Sequence, residues 1–82
     1  MMKIETQFFS RLRDLVGQST QTREVPPGAT VGDFLATLYR DYPALEKWDA
    51  HLLVAVGLEY ATRAQTLHEG DVVSIMPPVQ GG

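Results

Sequence analysis

The sequence predicts an α+β domain in which one main helix packs on one face of a small mixed sheet. Three observations lead there. The chain opens on a segment of period-two alternation, carries a single capped amphipathic helix before its midpoint, and continues in short apolar runs separated by turn residues. At 82 residues there is room for one such domain. Hydrophobic content of 44% with 21% charged residues is that of a folded chain and not a disordered one.

The opening Met2-Lys3-Ile4-Glu5-Thr6-Gln7-Phe8 reads as a half-buried strand with Ile4, Thr6 and Phe8 on one face. Phe9 then falls on the opposite, solvent-facing side. Leu12, Leu15 and Val16 sit in a stretch read as irregular, closed by Gly17, and the polar residues from Ser19 to Glu24 are expected to pair back as a second strand ending at Val25. Pro26-Pro27-Gly28 breaks that strand. Thr30 is a suitable helix N-cap, with Asp33 three residues on completing a capping-box pattern. Val31, Phe34, Leu35, Leu38 and Tyr42 follow at helical spacing as one apolar stripe, and Pro43 ends the helix. Residues 44–51 read as a loop or short helix pinned by Leu45 and Trp48.

Leu52-Leu53-Val54-Ala55-Val56 is continuously apolar, the pattern of a central strand covered on both faces. Gly57 permits a tight turn into a short strand over Leu58 to Ala61. Leu67-His68-Glu69-Gly70-Asp71 is a turn with glycine where unusual φ is needed. The last strand, Val72 to Met76, places Val73 and Ile75 on one face and Ser74 and Met76 on the other. The resulting order, with one helix of about three turns laid on the sheet, is the β-grasp layout. Residues 1–76 form the domain and residues 77–82 an extended tail.

That tail reads Pro77-Pro78-Val79-Gln80-Gly81-Gly82. Two prolines remove two backbone donors, so the strand ladder cannot continue, and they stiffen the exit so that it projects from the body. Gly81 and Gly82 lack side chains and can thread a passage too narrow for other residues. A terminal carboxylate on Gly82 would be ionised at neutral pH and able to attack the α-phosphate of ATP, giving an acyl-adenylate that sulfur converts to a thiocarboxylate. The carrier needs no catalytic side chain for this and is not catalytic by itself.

Other chemistry is poorly provided for. With no cysteine there is no disulfide, thiolate metal site or cysteine nucleophile, and any sulfur must be carried elsewhere than on a thiol side chain. His51 and His68 lack metal-ligand spacing, so no metal is expected. Net charge is -3 and Arg11 with Arg13 is the one close basic pair, which makes nucleic acid a poor partner. Arg11, Arg13 and Asp14 read as solvated or structural, with contact to an activating enzyme as the other reading. No stretch is long enough for a membrane span and the N-terminus lacks a signal-peptide core, so a cytoplasmic location is expected. No phosphate loop is present, so no cofactor is expected on this chain and ATP would be held by a partner.

Several segments are similar to the MoaD/ThiS family of ubiquitin-like sulfur carriers, and within it to the small subunits of molybdopterin synthase. They are Phe8 through Gly17, Pro27-Gly28-Ala29-Thr30-Val31-Gly32-Asp33, Leu53-Val54-Ala55-Val56, Leu67 through Val73, and the Pro-Pro-Val-x-Gly-Gly ending. The resemblance covers the whole chain, and the ending combined with Phe8-Phe9 carries most of its specificity. Gln80 departs from the family's small residue there, and Gly57 stands where an asparagine is common.

The resemblance implies a cycle in molybdenum cofactor biosynthesis. An E1-like enzyme adenylates Gly82, a sulfurtransferase system supplies sulfur, and the tail inserts into the large synthase subunit of a heterotetramer to donate it to a pterin precursor. Residues 77–81 would line that insertion. Phe9 and Met76, outward by strand parity, together with Tyr60, placed by the resemblance, would form the partner interface. The alternatives are a carrier for thiamine, tRNA thiolation or cysteine synthesis, a ubiquitin-like modifier joined to lysines through Gly82, or an interaction domain with an inert tail.

Overall fold

The computed structural model describes residues 1–78. The elements run β1 (Met2–Phe8), α1 (Arg11–Val16), β2 (Thr20–Val25), α2 (Val31–Asp41), a 3₁₀ segment (Pro43–His51), β3 (Leu53–Val56), β4 (Glu59–Tyr60) and β5 (Val72–Met76). The strands form one sheet in the order β2-β1-β5-β3-β4, with β1 and β5 parallel and the other pairs antiparallel. With α2 across one face this is the ubiquitin-like β-grasp fold.

The alternation in β1 does what its period demands. Met2, Ile4, Thr6 and Phe8 are buried while Lys3 and Glu5 are exposed. Opposite them Val31, Phe34, Leu35 and Leu38 of α2 are buried, and Ile4, Phe8, Val54, Val73 and Ile75 complete the layer beneath. Each large side chain so buried contributes roughly 1.5–3 kcal/mol relative to exposure. Thr6 is the exception on that face: its hydroxyl is buried with no hydrogen-bond partner.

The start of α2 is fixed twice. Thr30 Oγ1 accepts from the Asp33 N–H (3.2 Å), and Asp33 Oδ2 accepts from the Thr30 N–H (3.0 Å), the reciprocal capping box. The segment before β5 satisfies further free donors. Val31 N–H donates to the Gln65 carbonyl and Gly32 N–H to the Arg63 carbonyl, both at 2.9 Å. Gly32 lets the two backbones approach, since a Cβ there would lie 3.3 Å from the Arg63 oxygen.

Two expectations are corrected. The stretch after Phe9 is a helix, α1, whose buried Leu12 and Val16 lie four residues apart and whose end is closed by Gly17 at φ 85°. Six residues hold a single such pair, too little for a period to show in the sequence. β3 is an interior strand, between β5 and β4, but it is not covered on both faces, since Leu53 and Ala55 are only half-buried. A continuous apolar run reports an apolar residue on each face, but not that something covers the second one. Among the described residues nothing does.

Residues 43–51 form the 3₁₀ segment, with Leu45 fully buried and Trp48 packed against the core. Tyr39 Oη donates to Asp49 and Arg63 donates to the Asp49 carbonyl (2.7 Å), tying this segment to α2 and to the later loop. Among the described residues, no helix is long and apolar enough to cross a membrane, and no group of three His, Asp or Glu residues is placed to hold a metal ion.

Candidate functional site

The uncovered sheet face is organised by strand register. Tyr60 pairs with Ala55, Ala55 with Ser74, and Ser74 with Gln7, so these four form one row across β4, β3, β5 and β1. Leu53 and Met76 form the next row. Past the end of β1, the Phe9 N–H donates to the Ile75 carbonyl (3.2 Å), which keeps Phe9 beside β5 and on the side opposite to Phe8.

Size alternation gives this face its shape. Ala55, Ser74 and Gly57 make a low floor, and Phe9, Leu58, Tyr60 and Met76 stand around it, enclosing a hollow of about 280 Å³. Ser74 Oγ donates to Gln7 Oε1 (3.2 Å), so the polar atom in the floor is satisfied. The rim is unusually bare for apolar residues: Phe9 is 43%, Tyr60 74% and Leu58 102% exposed, whereas Met76 is half-buried. Gathered on one face, these residues are the pattern of an interaction surface and not of scattered surface hydrophobes.

The structure thus brings Phe9, Tyr60 and Met76 together. Leu58 was not singled out in the sequence, because a turn tip has no periodicity. Its one signal is a large aliphatic directly after a turn glycine, where polar residues are usual.

The tail leaves from the end of β5, beside this hollow. β5 ends at Met76, and Pro77 and Pro78 follow without regular structure and half-buried. On the far side of the exit from the apolar hollow lies a second, wider groove of about 490 Å³, lined by Ser10, Arg11, Arg13, Asp14, Trp48 and both prolines. Val79, Gln80, Gly81 and Gly82, on which the terminal chemistry was placed, lie outside the described residues.

Groups with displaced titration sit elsewhere. A hydrogen bond from Arg23 holds the Asp41 carboxyl below the usual carboxylate range. Burial, with the bond to Asp49, pushes the Tyr39 phenol well above its ordinary value. Both groups lie on the α2 side of the sheet and tie the helix to its neighbours. The open face therefore offers shape and apolar area for binding, and among the described residues no acid and base are paired on it.

Comparison with known proteins agrees with this reading of the fold. The ThiS family matches residues 6–82. The molybdopterin synthase sulfur carrier subunit of Chlamydomonas reinhardtii is 34% identical over 99% of this chain and all of its own length. Small archaeal modifier protein 3 of Haloferax volcanii is 37% identical, again over 99% of this chain and its own full length. The crystal structure of small archaeal modifier protein 1 from the same organism superposes with a TM-score of 0.87 at 31% identity, covering 96% of this chain and 100% of that one. The chain therefore belongs to the ThiS family, ubiquitin-like β-grasp proteins whose named relatives here are sulfur carriers and small modifiers.

Proposed function

We propose that this chain is the sulfur-carrying small subunit of molybdopterin synthase. The observation that carries the reading is the apolar face of Phe9, Leu58, Tyr60 and Met76, set where the chain leaves the sheet toward Gly81-Gly82. A carrier has to dock and deliver its end into another protein's site, and here the apolar face adjoins Met76 and Pro77, where the chain leaves the sheet. A sulfur carrier subunit of the same enzyme in Chlamydomonas reinhardtii aligns over its full length.

In this reading an E1-like enzyme holds ATP, and the Gly82 carboxylate attacks the α-phosphate, releasing pyrophosphate and forming an acyl-adenylate. Hydrosulfide delivered by a sulfurtransferase system displaces AMP and leaves a thiocarboxylate. The tail, residues 77–81, then enters the large synthase subunit, where the sulfur passes to the pterin precursor. This chain contributes docking, reach and the reacting carboxylate. It binds no cofactor, and its lack of cysteine fits sulfur held at the terminus.

The test is intact mass spectrometry after incubation with the activating enzyme, ATP and a sulfur donor, followed by pull-down. Exchange of one oxygen for sulfur at Gly82 and recovery of the large synthase subunit are expected. No mass change under any condition would count decisively against a carrier. The full-length match to a small archaeal modifier favours a second reading, conjugation to lysines through Gly82. Isopeptide-linked products without thiocarboxylate would select it.

A further inference from the structure

We propose that the groove beside the tail exit is the electrostatic half of the docking surface, and that Arg11 and Arg13 receive carboxylate side chains of the protein that takes the tail. The proposal rests on the carrier reading and deepens it by naming the chemistry of the partner's surface.

Charge accounting comes first. The chain has net charge -3 and seven Lys and Arg residues. Arg23 pairs with Asp41, Arg40 comes within 3.9 Å of Asp41, and Arg63 lies 3.6 Å from Asp49. Lys3, Lys47, Arg11 and Arg13 have no ion-pair partner among the described residues, and of these four only Arg11 and Arg13 line the groove, both exposed. On an acidic chain, two guanidinium groups in one groove against the single carboxylate of Asp14 leave a local excess of positive charge, which selects an acidic surface.

Geometry prepares one of them. The Arg11 guanidinium stands 5.6 Å from the centre of the Trp48 ring. Stacking uses the flat face of the guanidinium and leaves its in-plane N–H donors free for a carboxylate, with side-chain freedom already reduced. Trp48 is available because the 3₁₀ segment brings it next to α1.

The two halves are continuous. Phe9 belongs to the apolar hollow and Ser10 to the groove, just as Met76 belongs to the hollow and Pro77 to the groove. The hinge between them is strained: Ser10 holds φ 53° and ψ -130° without a glycine. Such backbone costs on the order of 1–3 kcal/mol and persists where the surroundings hold it in place. Here it turns the chain from the open face, which presents Phe9, into α1, which presents the arginines.

A small anion fits these features less well than carboxylates on a protein. Residues two apart on a helix do not face each other, so the two guanidinium groups address separate acceptors. Asp14 in the same lining lowers the net charge of the groove to about one positive unit, so a compact, multiply charged group such as a triphosphate is poorly neutralised, while single carboxylates set apart on a surface can reach each arginine away from it. Only a macromolecular surface covers the apolar hollow and the basic groove at once.

The test uses the full chain and the large synthase subunit, with affinity measured by titration calorimetry at low and high salt. At about 50 mM salt, R11E/R13E is expected to raise Kd roughly tenfold or more, and the gap to narrow to less than about threefold near 0.5 M as charges are screened. Arg13→Gln alone should raise Kd about threefold with an unchanged melting temperature, which separates docking from folding. Arg11→Lys, which keeps the charge but loses the planar donors stacked on Trp48, should fall between the wild-type chain and R11E/R13E. If the wild-type chain binds but neither Kd nor salt dependence moves in the charge variants, the proposal is overturned and the carrier reading stands. If the wild-type chain neither binds nor gains sulfur, both fail. Competition by millimolar ATP or inorganic phosphate that R11E/R13E abolishes would overturn the proposal in favour of a small-anion site.

Discussion

On the helix-covered side of the sheet, Ile4, Phe8, Val54, Val73 and Ile75 are almost wholly buried beneath α2. On the other side, Phe9, Leu58 and Tyr60 are comparably apolar yet project into solvent. The first set comes from β1, β3 and β5, and the second from the residue after β1, the turn after β3, and β4. Burial within the chain has been completed on one face and left open on the other, beside the end of β5 from which the tail departs. Apolar area on the first face holds the fold together; on the second it is stored for association.

Substitutions can test that division, starting with the largest effect. Phe34→Ala, at a position with no exposed surface, should lower stability by about 3–5 kcal/mol, read by chemical denaturation. Phe9→Asp should do the reverse: affinity for the large synthase subunit falls on the order of 30-fold or more, while stability changes by no more than about 0.5 kcal/mol. If Phe9→Asp unfolded the chain instead, the two faces would not be separable. Thr30→Ala removes one arm of the capping box and should cost about 1 kcal/mol, with docking unaffected. Thr6→Val replaces the unpartnered hydroxyl on the covered face and should raise stability by roughly 1 kcal/mol.

The smallest expected effect is a dependence on pH. Arg23 depresses the folded-state pKa of Asp41, so this pair stabilises above the unfolded carboxylate value near ~3.9 and loses that contribution as pH falls through the folded value. An acid titration of melting temperature should therefore be flatter for Arg23→Gln than for the wild-type chain. An identical profile would detach the Arg23–Asp41 pair from the packing of β2 against α2.

The covered face was the more legible in the sequence because periodicity encodes it. The stripe from Val31 to Leu38 and the alternation from Met2 to Phe8 each repeat often enough to declare which side is inside. α1 was hidden because Leu12 and Val16 make one helical repeat. The open face was legible in part. Strand parity put Phe9 and Met76 outside, but it could not say that small Ala55 and Ser74 would leave a floor between the larger residues. That follows from register between strands far apart in the chain. Leu58 and the approach of Trp48 to Arg11 depend on a turn and on a 3₁₀ segment folding back, and neither has a sequence period.

The placement of β5 has a mechanical consequence. The strand that leads into the tail is bonded to β1 on one side and β3 on the other. A pull on the tail enters at Met76 and runs along the strand axis, across the direction of the ladder bonds. The rungs on both sides are then loaded together in shear and are not peeled one at a time. In the carrier reading proposed above, an end drawn into and out of other proteins would be anchored to a strand held on both sides.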